Sequence, residues 1–178
     1  MTDFAQLIVV FLAVVNPAAV SLGVPSAQKR TATVVGLVTG VALVAASIFG
    51  AQHLLDFLAM EPETFRLAAG IVIVVVGLRT IWSPTQLAPL ESLGWGGYPL
   101  GWPLIANPAC IAAAVSFGVD ASPGRVVLAA VPWAVLGVAL AMFAGGRFAG
   151  PVRAAGQLAG LLGVAVGAAL IVDGVRAI

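Results

Sequence analysis

Five stretches of this chain carry no Asp, Glu, Lys, Arg or His: Phe4 to Ala27, Thr31 to Gln52, Ser92 to Val119, Val126 to Gly146 and Ala154 to Val172. Each is at least 19 residues long, and a helix needs roughly 17 to 25 mostly apolar residues to cross the hydrocarbon core of a bilayer. A sixth, shorter run of twelve residues, Leu67 to Leu78, lies between Arg66 and Arg79. Both arginines have stems long enough to snorkel to an interface, so a span from about Thr64 to Trp82 is expected there. Composition removes the alternative of a buried core in water: 61% of residues are hydrophobic and 8% are charged, where an ordinary soluble domain has about 25% charged. The expected fold class is therefore an all-α membrane protein of six transmembrane helices. Asp3 and no Lys or Arg precede the first run, which reads as a retained helix rather than a cleaved signal segment. A net charge of +1 gives no reason to expect nucleic acid, and the single Cys110 excludes an intramolecular disulfide.

Residues 83–97 hold two prolines, Glu91 and Trp95-Gly96-Gly97, and read as a central loop that can lie on the membrane surface. It divides the membrane domain into residues 1–82 and 98–178, and the two halves resemble each other. A shift of 91 residues lays Asn16-Pro17-Ala18 on Asn107-Pro108-Ala109. A shift of 97 lays Leu67 to Ile81 on Val164 to Ile178, with identity at six of fifteen positions, including Gly70/Gly167, Gly77/Gly174 and Arg79/Arg176. The change of offset places about six extra residues between the second and third helices of the second half, where loops tolerate insertion. Three helices per half is an odd number, so the second half enters the membrane from the opposite side. That is an inverted-topology repeat, with the first and fourth helices broken at Asn-Pro.

Six spans put Lys29, Arg30, Arg79, Arg147 and Arg153 on one side and Arg66, Arg125 and Arg176 with the termini on the other. By the positive-inside rule the first side is cytoplasmic and both termini are outside. The expected location is the plasma membrane.

The chemistry sits at the breaks. Pro17 and Pro108 lack an N–H, so the carbonyls of Ala13 and Leu104 lose their helical partners, and Pro103 does the same to Pro99. Freed backbone groups at membrane depth persist only when buried in protein or lining a wet cavity. If the helices are broken outright, two half-helix N-termini suit a carboxylate and freed carbonyls suit an ammonium group, a pairing that matches a zwitterion. Asn16, Pro17, Ala18, Ala13, Asn107, Pro108, Ala109 and Leu104 are the candidate substrate-binding residues. The plain alternative is that each Asn-Pro is a kink satisfied by neighbouring helices.

Three segments also resemble the MarC family of bacterial and archaeal membrane proteins, within the LysE-like exporters. They are Val15-Asn16-Pro17-Ala18-Ala19, Phe65-Arg66-Leu67-Ala68-Ala69-Gly70-Ile71, and the run from Tyr98 to Ala109, similar in order and spacing to the family's pattern. The resemblance implies a six-helix inverted repeat with discontinuous first and fourth helices, and transport of small neutral amino acids. The chain departs from that pattern at Asn107, where glycine is usual, at Ala112 and Ala113, where small hydroxyl residues are common, and at Arg79, where the position is usually acidic.

Asp173, Arg79 and Arg176 are candidates for coupling or gating at helix ends. Asp173 and Arg176, three apart, also read as a local ion pair. His53 and Asp56 read as a solvated pair after the second helix, and Cys110 as a small packing residue. Trp82, Trp95, Tyr98 and Trp102 form an aromatic belt. The spacings Gly36/Gly40, Gly156/Gly160 and Gly163/Gly167 let helices approach closely, within the bundle or between protomers of a homo-oligomer. No cofactor motif, HExxH or paired intramembrane aspartates occur, which argues against an enzyme. The partners implied are the lipid bilayer and a small-molecule substrate. Two other readings stay open, a structural or accessory subunit and an exporter of a metal ion or drug.

Overall fold

The computed structural model describes residues 3–23, 30–83, 101–102, 104–143 and 149–177. Every regular element among them is a helix: α1 (Phe4–Val15), α2 (Pro17–Gly23), α3 (Arg30–Phe49), α4 (Ala51–Phe57), α5 (Pro62–Trp82), α6 (Pro108–Asp120), α7 (Pro123–Phe143) and α8 (Ala149–Ala177). Four segments are long and apolar enough to cross a membrane: Phe4–Leu22, Pro62–Trp82, Pro123–Met142 and Gly150–Ala177. The pair Thr33–Phe49 and Ala51–Phe57, bent by 60° at Gly50, reaches that length and apolarity only when its two helices are taken together. The shorter apolar α6 is preceded by π-helical residues on either side of Pro103, where the Ala106 N–H donates to the Gly101 carbonyl five residues back at 3.0 Å. The central segment, Lys29, Arg147, Trp95, Tyr98, Pro99 and Pro103 lie outside the described residues.

Packing follows the small residues. A Cβ on Gly70 would stand 2.6 Å from the Gly167 carbonyl oxygen, and one on Gly167 would stand 2.6 Å from that of Gly70. Real Cβ atoms do not approach so closely, so α5 and α8 cross backbone to backbone. On one side of this crossing Gly77 abuts Gly160 and Val164, and on the other Gly174 abuts Glu63 and Leu67. These neighbours correspond under the 97-residue offset: 160 and 164 become 63 and 67, and 77 becomes 174. Gly36 and Gly40 of α3 likewise receive Gly101 and Ile105.

The remaining contacts interlock the two halves of the chain. α1 and α2 pack on α7, α6 packs on α3 and α4, α5 on α6, α8 on α1 and α2, and α3 on α7, whereas contacts within either half are sparse. The buried core is correspondingly shared, joining Leu7, Phe11, Val20, Ile48 and Ile73 to Ile105, Ala113, Phe117, Val126 and Ala134. Neither half has an interior of its own.

Candidate functional site

The two Asn-Pro pairs are helix starts, and the local chemistry explains both. Pro fits the first helical position because the N–H it lacks would be unsatisfied there, and Asn before it supplies a side-chain oxygen to the exposed amides. Asn16 Oδ1 accepts the Ala19 N–H at 3.1 Å, and Asn107 Oδ1 accepts the Cys110 N–H at 2.9 Å. The residues are equivalent at the 91-residue offset, and so are the capped amides.

Their backbones differ. Asn16 is left-handed, at φ 47° and ψ 77°, and its own N–H closes α1 on the Leu12 carbonyl at 3.1 Å. Asn tolerates this region better than most residues. Asn107 is extended, at φ −69° and ψ 161°, and follows the π turn. Their amide nitrogens also go to different places. Asn16 Nδ2 donates to the Gly156 carbonyl of α8 at 3.0 Å, while Asn107 Nδ2 donates to the Val14 carbonyl of α1 at 2.7 Å and, more loosely, to Leu104 at 3.4 Å. The α6 cap therefore reaches into the last turn of α1. Two breaks 91 residues apart in sequence are in hydrogen-bond contact.

The other expected site residues gather around this contact. Ala13, Ala18, Leu104 and Ala109 are buried, as is Pro17, while Asn107 is half-buried and Pro108 exposed. Gly137 of α7 closes on Pro17, where a Cβ would stand 3.0 Å from its carbonyl oxygen. Expected to lose its donor to Pro108, the Leu104 carbonyl instead receives part of the Asn107 amide. The asparagine amides are thus engaged by the protein, which is what the kink reading requires; exposing them to a solute means exchanging these bonds.

Charged candidates lie elsewhere. Asp173 and Arg176 are exposed near the end of α8 and do not pair with each other, and Arg79 is exposed near the end of α5. Arg66 forms an ion pair with Asp120, joining the start of α5 to the end of α6. No local signal marks Arg66 for this partner, which lies 54 residues away in sequence. Asp56 accepts from Gln52 at 3.1 Å, and His53 is exposed. Of the aromatic belt, Trp82 and Trp102 are exposed. Two ties had no advance signal: Trp133 donates its indole N–H to the Ile8 carbonyl at 3.0 Å, and Gln157 donates to Ile81 at 3.1 Å. The buried Ser116 Oγ has no hydrogen-bond partner.

Apolar helices of spanning length, with polar side chains turned to interior carbonyls, define a multi-pass, all-α membrane protein. No family model matches the chain, and neither a curated protein nor a solved structure matches it.

Proposed function

We propose that this chain is a plasma-membrane transporter of a small solute, a small neutral amino acid or a similar zwitterion, bound near the bilayer midplane between the two Asn-Pro breaks. The observation that carries the reading is the contact of the Asn107 cap with the Val14 carbonyl. It joins two interrupted spans inside the bundle, the arrangement in which transporters of inverted-repeat design hold their solutes. In this reading the protein has six spans in two inverted repeats, of the kind the MarC resemblance implies. Reciprocal glycine contacts between α5 and α8 support that symmetry. So does the packing pattern, which is unchanged when the first, second and third spans exchange places with the fourth, fifth and sixth.

Counterflow tests the function. Purified protein in liposomes preloaded with unlabelled alanine should accumulate labelled alanine or glycine above empty vesicles. A flat trace across the small neutral amino acids, with metal ions and cationic drugs also negative, would leave a structural subunit as the better reading. Topology is tested independently: a reporter fused after Ile178 should read as external, and one inserted beside Lys29 as internal. A cytoplasmic C-terminus would reverse the orientation drawn from the basic residues.

A further inference from the structure

The seam between α5 and α6 combines features that the breaks do not use. Asp120 ends α6, and its carboxylate pairs with Arg66 of α5. The two side chains are 26% and 21% exposed, so the pair stands at the margin of the bundle. Four residues before Asp120, and therefore on the same face of α6, Ser116 is 5% exposed and its hydroxyl meets no partner. A buried serine on a helix ordinarily donates to the carbonyl one turn back, or to a neighbour. Here it does neither, one turn beneath an ion pair. Continuing along that face toward Asn107, the residues are Ala113, Ala112 and Ala109, all buried and all small.

We propose that the α5–α6 seam is the solute pathway from the paired breaks to the end of the bundle carrying Asp120 and Ala177, with Ser116 as its polar lining and the Arg66–Asp120 ion pair as its closed gate. The proposal rests on the transport reading. A solute or water reaching Ser116 would supply the hydrogen bond that the hydroxyl lacks in the closed state. Arginine and aspartate at the rim suit a gate, since water compensates both charges when they part. Under the exchange of spans described above, the seam corresponds to that between α8 and the first span, where Asn16 donates to the Gly156 carbonyl at the break itself.

The test is thiol accessibility. Ser116→Cys in a Cys110→Ala background, in sealed vesicles of defined orientation, is treated with a membrane-impermeant methanethiosulfonate on the side carrying the C-terminus. Labelling should be slow with the ion pair intact, and Asp120→Asn or Arg66→Gln should raise the rate about tenfold, the change expected when about 1.4 kcal/mol of closure is removed. The exchanged pair, Arg66→Asp with Asp120→Arg, should return it to the parent rate. Where neutralisation prevents folding, Arg66→Lys keeps the charge but loses the planar fork, and should give an intermediate rate. Unchanged labelling in the folded variants would make the ion pair a structural tie and overturn the proposal. Labelling needs no solute: faster labelling in a protein without counterflow would remove the transport reading and keep a gated seam. Counterflow with unchanged labelling would keep transport and remove this pathway.

Discussion

Gly70→Ala and Gly167→Ala should each lower stability in detergent by about 2 to 3 kcal/mol, the scale of overpacking a tight interface. The added methyl would lie 2.6 Å from a carbonyl oxygen of the facing helix. The nearest atom in each case is backbone, which cannot turn aside as a flexible side chain does, so α5 and α8 must move apart along their crossing. Against that loss stands the intrinsic gain of alanine over glycine within a helix, about 1 kcal/mol. Gly163→Ala isolates that gain, because a Cβ at this position meets only the Gly77 Cα, at 3.8 Å. It should leave the protein unchanged or up to about 1 kcal/mol more stable. Combining Gly70→Ala with Gly167→Ala should cost less than the sum, since one separation of the helices accommodates both methyls. Thermal unfolding of the four variants decides it: additive losses, or an equal loss at Gly163, would mean that the crossing is not the tight reciprocal contact described.

The second large effect concerns transport. Leucine is a poor probe at Asn16, because the residue is left-handed and caps α2. It would add about 1 to 2 kcal/mol of backbone strain to a lost cap worth about 1 kcal/mol. Glycine tolerates φ of 47° and weakens an N-cap by only a few tenths of a kcal/mol, so Asn16→Gly and Asn107→Gly remove the amide and keep the break. Both variants should fold, and their uptake of labelled alanine should fall roughly ten- to a hundredfold, the worth of one hydrogen bond to a charged group. Parent-rate uptake by both would show that the breaks are kinks. Pro108→Ala should leave the interruption in place. Because Asn107 is extended, the restored N–H falls at a helix start and has no helical acceptor, so alanine alone does not straighten the span.

The spans were legible because charge is costly in a bilayer. Phe4–Leu22, Pro123–Met142 and Gly150–Ala177 follow uncharged runs, and α5 begins and ends close to Thr64 and Trp82, as expected. α8 is longer than its run, Ala149–Ala177 against 154–172, since Arg153, Asp173 and Arg176 are exposed on the helix and need not end it. The 60° bend at Gly50 was not legible. Glycine permits a bend without dictating one, and α4 turns to bury Ala51 and Leu55 against Val115 of α6. At the candidate site, Asn-Pro announced an interruption and small residues announced close packing. Sequence held nothing to distinguish a left-handed Asn16 from an extended Asn107, or to say that one amide would find Gly156 and the other Val14. Those choices are made by carbonyls on other helices. The same holds for Arg66, whose partner is supplied by a helix more than fifty residues later.

The crossing of α5 with α8 sets an order on biosynthesis. α5 is complete when Trp82 has been made, but Gly70 and Gly77 meet their partners only after α8 follows, ending at Ala177. At roughly 5 to 20 residues per second, the ribosome takes about 5 to 20 s to add those 95 residues. Through that interval α5 offers lipid a furrow of bare backbone where its glycines lie. A nascent chain stalled before α8 should therefore be recognisable to membrane quality control by this furrow, and a separately supplied α8 peptide is the natural candidate to fill it.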